Sequence, residues 1–115
     1  MKIVKKENSE KIINSDTSFI FEYSKLLKDK DLDFCINTIK GRYPEMGYCS
    51  NLKCKELAYI LKGTGKINKK DNSIEFKQGD LILIDKKEVY FWEGDCQIIM
   101  VCNPAWYKEQ CRILD

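Results

Sequence analysis

The most informative part of the chain is residues 56–84, which read ELAYILKGTGKINKKDNSIEFKQGDLILI. Short apolar runs alternate there with glycine-containing or polar segments. Alternation in the first run places Glu56, Ala58 and Ile60 on one face of a strand. The polar residues 69–72 separate two further runs and are typical of a hairpin connection. This spacing of short strands predicts an all-β sandwich or barrel.

Apolar segments on both sides extend the same pattern. They predict further strands at residues 18–23, 33–39, 89–92 and 97–102. Glycine-containing segments at 63–65 and 94–95 predict turns between strands. Only residues 24–27 suggest a helical turn. The chain of 115 residues suits one domain, which we divide into a polar N-terminal extension with an edge strand at 1–30 and a barrel domain at 31–115.

Composition excludes several classes of protein. Twenty basic against eighteen acidic residues leave a net charge of +2, which argues against a nucleic-acid-binding patch. No apolar run approaches the roughly 20 residues of a membrane helix, and the N-terminus lacks the apolar core of a signal peptide. The chain contains no histidine, so Ser-His-Asp and Cys-His catalytic pairs are excluded. We therefore expect a cytoplasmic protein without nucleic-acid or membrane partners.

The six cysteines do not form a recognisable metal or redox motif. They are Cys35, Cys49, Cys54, Cys96, Cys102 and Cys111, and no two have the CxxC spacing. Three of them, Cys35, Cys96 and Cys102, lie in apolar segments, where a free cysteine behaves as a small hydrophobic residue. We expect reduced thiols in a reducing compartment.

Residues in the central region resemble the motifs of the cupin superfamily. Glu56 followed after six residues by Gly63 resembles the end of the first cupin motif, His-x-His, three or four residues, Glu, six residues, Gly. Residues 79–84 resemble the opening of the second motif. The resemblance covers roughly residues 32–107 and implies a small, RmlC-like, single-domain jelly roll. It also implies pairing of two copies, so we expect a homodimer.

The metal-binding histidines of the family are all replaced in this chain. With a four-residue gap before Glu56, the resemblance places the two histidine positions of the first motif on Cys49 and Asn51. With a three-residue gap, they fall on Ser50 and Leu52. We prefer the first alignment because it directs polar groups inward beside Glu56.

The second-motif histidine position falls on Tyr90. The set that results, Cys49, Asn51, Glu56 and Tyr90, combines a soft thiolate with a weakly ligating amide. Zinc and iron sites normally need more cysteine or histidine than this. We therefore predict no metal and no cofactor.

Glu56 is the main candidate for chemistry. A carboxyl group facing the interior of a barrel must be paired, hydrogen-bonded or bound to a ligand, and burial raises its pKa. Alternatively, the strand begins at Leu57 and Glu56 is exposed, or Glu56 only caps Tyr90 or Asn51.

Other candidate ligand contacts surround this position. Tyr90 and Trp92 lie on one face of a strand and are suited to stacking on a sugar or planar ring, or to packing in the core. Arg42, in the loop before the first motif, is a candidate clamp for an anionic group or an ordinary surface arginine. Cys49 is a candidate nucleophile or an inert thiol.

Three functions follow from these residues. The first is binding of a small polar molecule, a sugar derivative or a carboxylate, through Arg42, Cys49, Asn51, Glu56, Tyr90 and Trp92 without a transition metal. The second is an isomerase, epimerase or lyase in which Glu56 and Tyr90 act as acid and base. The third is a structural dimerisation module without a ligand. Fold alone does not choose among them.

Overall fold

A computed structural model describes all residues 1–115. It contains nine β-strands: β1 (Glu10–Ser15), β2 (Ser18–Glu22), β3 (Asp33–Tyr43), β4 (Tyr48–Asn51), β5 (Lys55–Asn68), β6 (Ser73–Lys77), β7 (Leu81–Ile84), β8 (Phe91–Asn103) and β9 (Cys111–Leu114). The helical turn suggested by the sequence is present as α1 (Ser24–Leu27). Two 3₁₀ turns occupy Lys6–Asn8 and Lys108–Gln110. The helices are all too short to cross a membrane.

The strands form two antiparallel sheets. The large sheet has the order β1-β2-β3-β8-β5-β6, and β7 also pairs with β5. The small sheet consists of β4 and β9, and a bridge between Cys49 and Tyr90 connects it to the segment that precedes β8. The N-terminal residues contribute β1 at the edge of the large sheet and β2 beside β3. These sheets confirm the predicted all-β jelly roll.

Two of the predicted turns are absent, because β5 and β8 run through them. The sequence predicts turns at Gly63–Gly65 and Gly94–Asp95, but both segments continue as paired strand, with Gly65 opposite Gly94. A Cβ atom on Gly94 would lie 2.5 Å from the main-chain oxygen of Thr64. The glycines therefore permit a close approach of two long strands, and in the sequence such glycines look the same as glycines in a turn.

The inner face of the large sheet carries the core. On β5 the residues Glu56, Ala58 and Ile60 are buried, whereas Leu57 and Tyr59 are more than 40% exposed. This pattern confirms the predicted alternation. The predicted hairpin at residues 69–72 is also present, with β5 and β6 paired on either side of it.

Candidate functional site

Glu56 lies near the start of β5 on the inner face of the barrel. In register it faces Ile84 on β7 and Cys102 on β8, and it is 8% exposed. The alternative in which Glu56 is a solvent-exposed residue before the strand is therefore wrong. A carboxyl group at this position needs hydrogen-bond partners from neighbouring segments.

Those partners come from the small sheet and the C-terminal segment. Asn51, the last residue of β4, donates a hydrogen bond from Nδ2 to Oε1 of Glu56. The side chain of Gln110 donates from Nε2 to Oδ1 of Asn51 over 2.8 Å. Asn51 is 6% exposed and Gln110 2% exposed. The three side chains form a buried chain of hydrogen bonds that ends on the carboxyl group.

Burial raises the pKa of Glu56 to about 7, and hydrogen bonds from Asn51 and Tyr90 partly oppose this rise. No cation contributes to the shift. Desolvation is the main cause, because removing water penalises the charged form of a carboxyl group. Both protonation states are therefore populated near neutral pH, as a proton-transfer group requires.

Tyr90 and Cys49 lie beside Glu56 and are both neutral. Their main chains exchange two hydrogen bonds, and the Cys49 thiol also donates to the main-chain oxygen of Tyr90 over 3.4 Å. Burial raises the pKa of Cys49 to about 12 and that of Tyr90 well above its usual value. A thiol with such a pKa is a poor nucleophile. The side chain of Tyr90 in turn favours the charged form of Glu56 and partly opposes the rise of its pKa.

Trp92 continues the buried aromatic surface away from Glu56. Its ring makes edge-to-face contacts with Tyr90, at a centroid distance of 6.0 Å, and with Phe76, at 5.7 Å. Trp92 is only 2% exposed. The indole ring is therefore enclosed by other aromatic rings, and the predicted ligand contact of Trp92 stays a prediction.

Arg42 is not part of this group. Its guanidinium donates hydrogen bonds of 2.7 Å to the main-chain oxygens of Pro44 and Gly47, and it lies 3.8 Å from the centre of the Phe91 ring. In register Arg42 is opposite Glu93 on β8, on the face away from the core. The guanidinium thus braces the loop between β3 and β4 and does not reach Glu56.

Gln110 is the site residue that sequence analysis missed. It lies outside the segment that resembles cupins, and a lone glutamine near a terminus carries no motif. Its position depends on the pairing of β9 with β4, which brings residues 110 and 51 together across 59 positions of sequence. No signal in the sequence indicates that pairing.

The side chains at this site do not suit the transition metal that the resemblance to cupins implies. The Asn51 oxygen faces Gln110 rather than Glu56, and the Cys49 thiol is protonated and directed at a main-chain oxygen. No group of three Cys, Asp or Glu side chains is placed to hold a metal ion. These residues therefore fit a metal ion poorly, because their polar atoms are engaged with one another and with the main chain.

A separate open groove of about 650 Å³ lies between β5, β6 and β8 at the other end of the barrel. It is lined mainly by polar and charged residues, with Gly65 and Gly94 among them. Gly65 is nine positions from Glu56 along β5, roughly 30 Å of extended strand. This groove is therefore not the pocket that the sequence predicts.

Comparison with known proteins identifies the class of fold. No protein-family model matches the chain, and no curated protein matches it in sequence. Among solved structures, an RmlC-like cupin from Shewanella frigidimarina superposes with a TM-score of 0.73 at 14% identity, covering 91% of this chain and 92% of that one. The chain therefore has a cupin-like, RmlC-like jelly-roll fold, as the sequence predicts.

Two enzymes of the same fold are more similar in structure than that cupin. The nucleoside dehydratase Pac13 superposes with a TM-score of 0.85 at 14% identity, covering 100% of this chain and 94% of that one. A variant of Streptomyces Pac13 with uridine superposes at 0.84, with 15% identity, covering 96% of this chain and 88% of that one. The polyketide cyclase RemF from Streptomyces resistomycificus superposes at 0.78, with 12% identity, covering 100% and 86%. Sequence identities this low show only that the fold is shared. The activity has to be inferred from the residues of the site.

Proposed function

We propose that the barrel binds a small, neutral, polar molecule at Asn51, Glu56 and Tyr90. The observation that carries this proposal is the buried carboxyl group of Glu56 with an oriented amide donor beside it. A hydroxyl-rich ligand such as a sugar or nucleoside would find both a donor and an acceptor there. The uridine in the Pac13 structures, which share this fold, supports the same chemical class.

Electrostatics favours a neutral ligand over a carboxylate. Arg42, the candidate anion clamp, is engaged on the outer face, and no cation shifts the pKa of Glu56. A ligand carboxylate beside an ionised Glu56 would leave two like charges in a poorly solvated site. Of the two ligand classes that the sequence suggests, sugar derivatives therefore fit better.

The second candidate is proton transfer, favoured by the pKa of about 7 at Glu56. In a dehydration, the Glu56 carboxylate removes a proton from a carbon of the substrate. The electron pair of that C–H bond forms a double bond to the neighbouring carbon, and the bond between this carbon and its hydroxyl group breaks. The protonated Glu56 returns its proton to that oxygen, so water leaves and the carboxylate is restored. Tyr90 supplies a hydrogen bond to the carboxylate.

Paired variants separate binding from catalysis. We would screen sugars and nucleosides, uridine included, by calorimetry against the wild type, Glu56→Gln and Tyr90→Phe, with Glu75→Gln as an exposed control. Bound ligands would then be tested for solvent-deuterium incorporation by NMR. Binding that weakens in the Tyr90 and Glu56 variants but not in the control supports the site. Deuterium incorporation that Glu56→Gln abolishes supports proton transfer, and incorporation that survives this change refutes it.

We also propose that two copies of the chain pair through the outer face of the large sheet. Leu57 and Tyr59 on β5 lie in register with Leu83 and Leu81 on β7, and these four side chains are 42–63% exposed. Half-buried apolar residues of β8 and β3 continue the patch, namely Phe34, Ile36, Ile99 and Val101.

Such a patch is suited to a second copy because it carries no charge and can pack against itself about a two-fold axis. A structural dimerisation module would need no more than this surface. We expect a dimer by light scattering and a monomer for Leu83→Glu. Ile74→Glu, exposed but outside the patch, is the control. A monomeric wild type at micromolar concentration refutes the pairing.

The compartment remains a proposal as well. All six cysteines are free thiols, four of them buried. Reduced, buried thiols are typical of proteins in reducing compartments, and they support the proposal that this protein acts in the cytoplasm.

A further inference from the structure

Gln110 contacts four consecutive residues, namely Asn51 at the end of β4 and the three loop residues that follow it. Its main-chain oxygen accepts a hydrogen bond of 2.9 Å from the Leu52 N–H. Its side-chain Oε1 accepts from the N–H groups of Lys53 and Cys54, both at 3.2 Å. Its Nε2 donates to Oδ1 of Asn51 over 2.8 Å. A glutamine that is 2% exposed thus has every polar group of its side chain used.

These contacts determine which way the Asn51 amide faces. A side-chain amide has an oxygen that only accepts and an NH₂ group that only donates. Two main-chain N–H groups, which cannot turn around, hold the Gln110 oxygen, so its NH₂ group must face Asn51. Asn51 must then present its oxygen to Gln110 and its NH₂ group to Glu56. If the Asn51 amide turned over, its oxygen would face the Glu56 carboxylate and no hydrogen would lie between them.

We propose that Gln110 is a positioning residue. The N–H groups of Lys53 and Cys54 fix the orientation of its side-chain amide, and this amide in turn fixes the orientation of Asn51, so that an NH₂ donor always faces Glu56. The role of this donor in binding or proton transfer rests on the proposed function. Its effect on the charge state of Glu56 does not. The C-terminal segment is thereby part of the site, although it lies outside the segment that resembles cupins.

The test is a titration of the Glu56 carboxyl group by NMR on protein labelled with ¹³C at glutamate side-chain carboxyls, with Glu56→Gln used for assignment. In Gln110→Met the Asn51 amide loses its constraint, and the ionised form of Glu56 loses a fixed donor. We expect the pKa of Glu56 to rise by about one unit, since a hydrogen bond to a charged group has an effect of this order. An unchanged pKa in folded Gln110→Met overturns the proposal.

A double-variant cycle distinguishes positioning from a general structural role. In an Asn51→Leu background the donor is already absent, so Gln110→Met should cause no further change in the pKa of Glu56. If Gln110→Met changes the pKa of Glu56 equally in the wild-type and Asn51→Leu backgrounds, Gln110 does not act through Asn51. Loss of stability alone, with the pKa of Glu56 unchanged, would likewise assign Gln110 a purely structural role.

A second substitution covers the case in which Gln110→Met does not fold. Gln110→Glu keeps an acceptor for the N–H groups of Lys53 and Cys54 but, when ionised, has no donor for Asn51. The Asn51 amide then turns its NH₂ group towards residue 110, so Gln110→Glu should raise the pKa of Glu56 more than it does in the Asn51→Leu background, where only the new negative charge acts. Equal rises in the two backgrounds refute transmission through Asn51. An unchanged pKa in this variant also overturns the proposal. Neither titration needs a ligand, so failure of the ligand screen does not affect this test. If a Gln110 variant still binds ligand and the pKa of Glu56 is unchanged, the positioning role of Gln110 is refuted and the proposed function is not.

Discussion

Replacing Glu56 by glutamine should remove most of the pH dependence of stability between pH 4.5 and 7. Burial raises the pKa of Glu56 from 4.5 to about 7 in the folded protein. The folded state therefore retains its proton over a range in which the unfolded chain has already lost it. The stabilisation is fully present below pH 4.5 and is lost as the pH rises to about 7.

The size of the effect follows from the two pKa values. A difference of about 2.5 between them corresponds to about 3 kcal/mol, at 1.36 kcal/mol per unit. That is a large fraction of the roughly 5–15 kcal/mol that stabilises a typical domain. Glu56→Gln keeps an oxygen for the Asn51 amide and carries no charge. We therefore expect the variant to gain about 3 kcal/mol relative to the wild type on going from pH 4.5 to pH 8.

The assay is urea unfolding of both proteins at several pH values, at constant ionic strength and with a reductant. The chain lacks histidine, so no imidazole titrates in this range. The other titratable groups whose pKa values Glu56 raises lose their protons only at higher pH: Cys35, Tyr43, Cys49, Cys54, Tyr90, Cys102 and Cys111. Glu75→Gln, an exposed carboxyl group, is the control.

The difference in stability between wild type and Glu56→Gln should therefore change by about 3 kcal/mol across the range, and that for the control should stay constant. A difference that does not vary with pH would mean that Glu56 ionises normally. The carboxyl group would then be solvated rather than buried.

Further predictions test the surroundings of the site. Tyr90→Phe removes a hydrogen bond to Glu56, so the pH range of lost stability should move upward in the same urea assay; an unmoved midpoint argues against the bond. Trp92→Ala should cost about 3–5 kcal/mol by urea unfolding, and a cost below 1 kcal/mol would contradict its burial. Gly94→Ala places a Cβ atom against the Thr64 oxygen and should lower the melting temperature by several degrees. Elemental analysis after removal of any histidine tag should find no stoichiometric transition metal, whereas stoichiometric iron or zinc would overturn the prediction that the site holds no metal.

The local sequence pattern was sufficient to predict features that depend on a single strand. Alternation along residues 56–61 predicts that Glu56 faces inward, and the structure places it there. Pattern failed for Gly65 and Gly94, since a glycine that permits close strand contact leaves the same signal as a glycine in a turn. It also left Arg42 as a candidate anion clamp, although the guanidinium binds the loop beside it.

The sequence by itself determined the class of fold: strand periodicity, a local property, predicts an all-β sandwich or barrel, and the resemblance to the cupin motifs implies the jelly roll. It also excluded histidine chemistry and singled out Glu56. Tertiary structure alone decided what surrounds that carboxyl group. The pairing of β9 with β4 brings Gln110 to Asn51, and burial of Glu56 on the inner face of the barrel raises its pKa. Both effects depend on contacts between segments that are far apart in sequence. The neighbours packed around a residue set its desolvation and the direction of its hydrogen bonds, and the residue type alone does not.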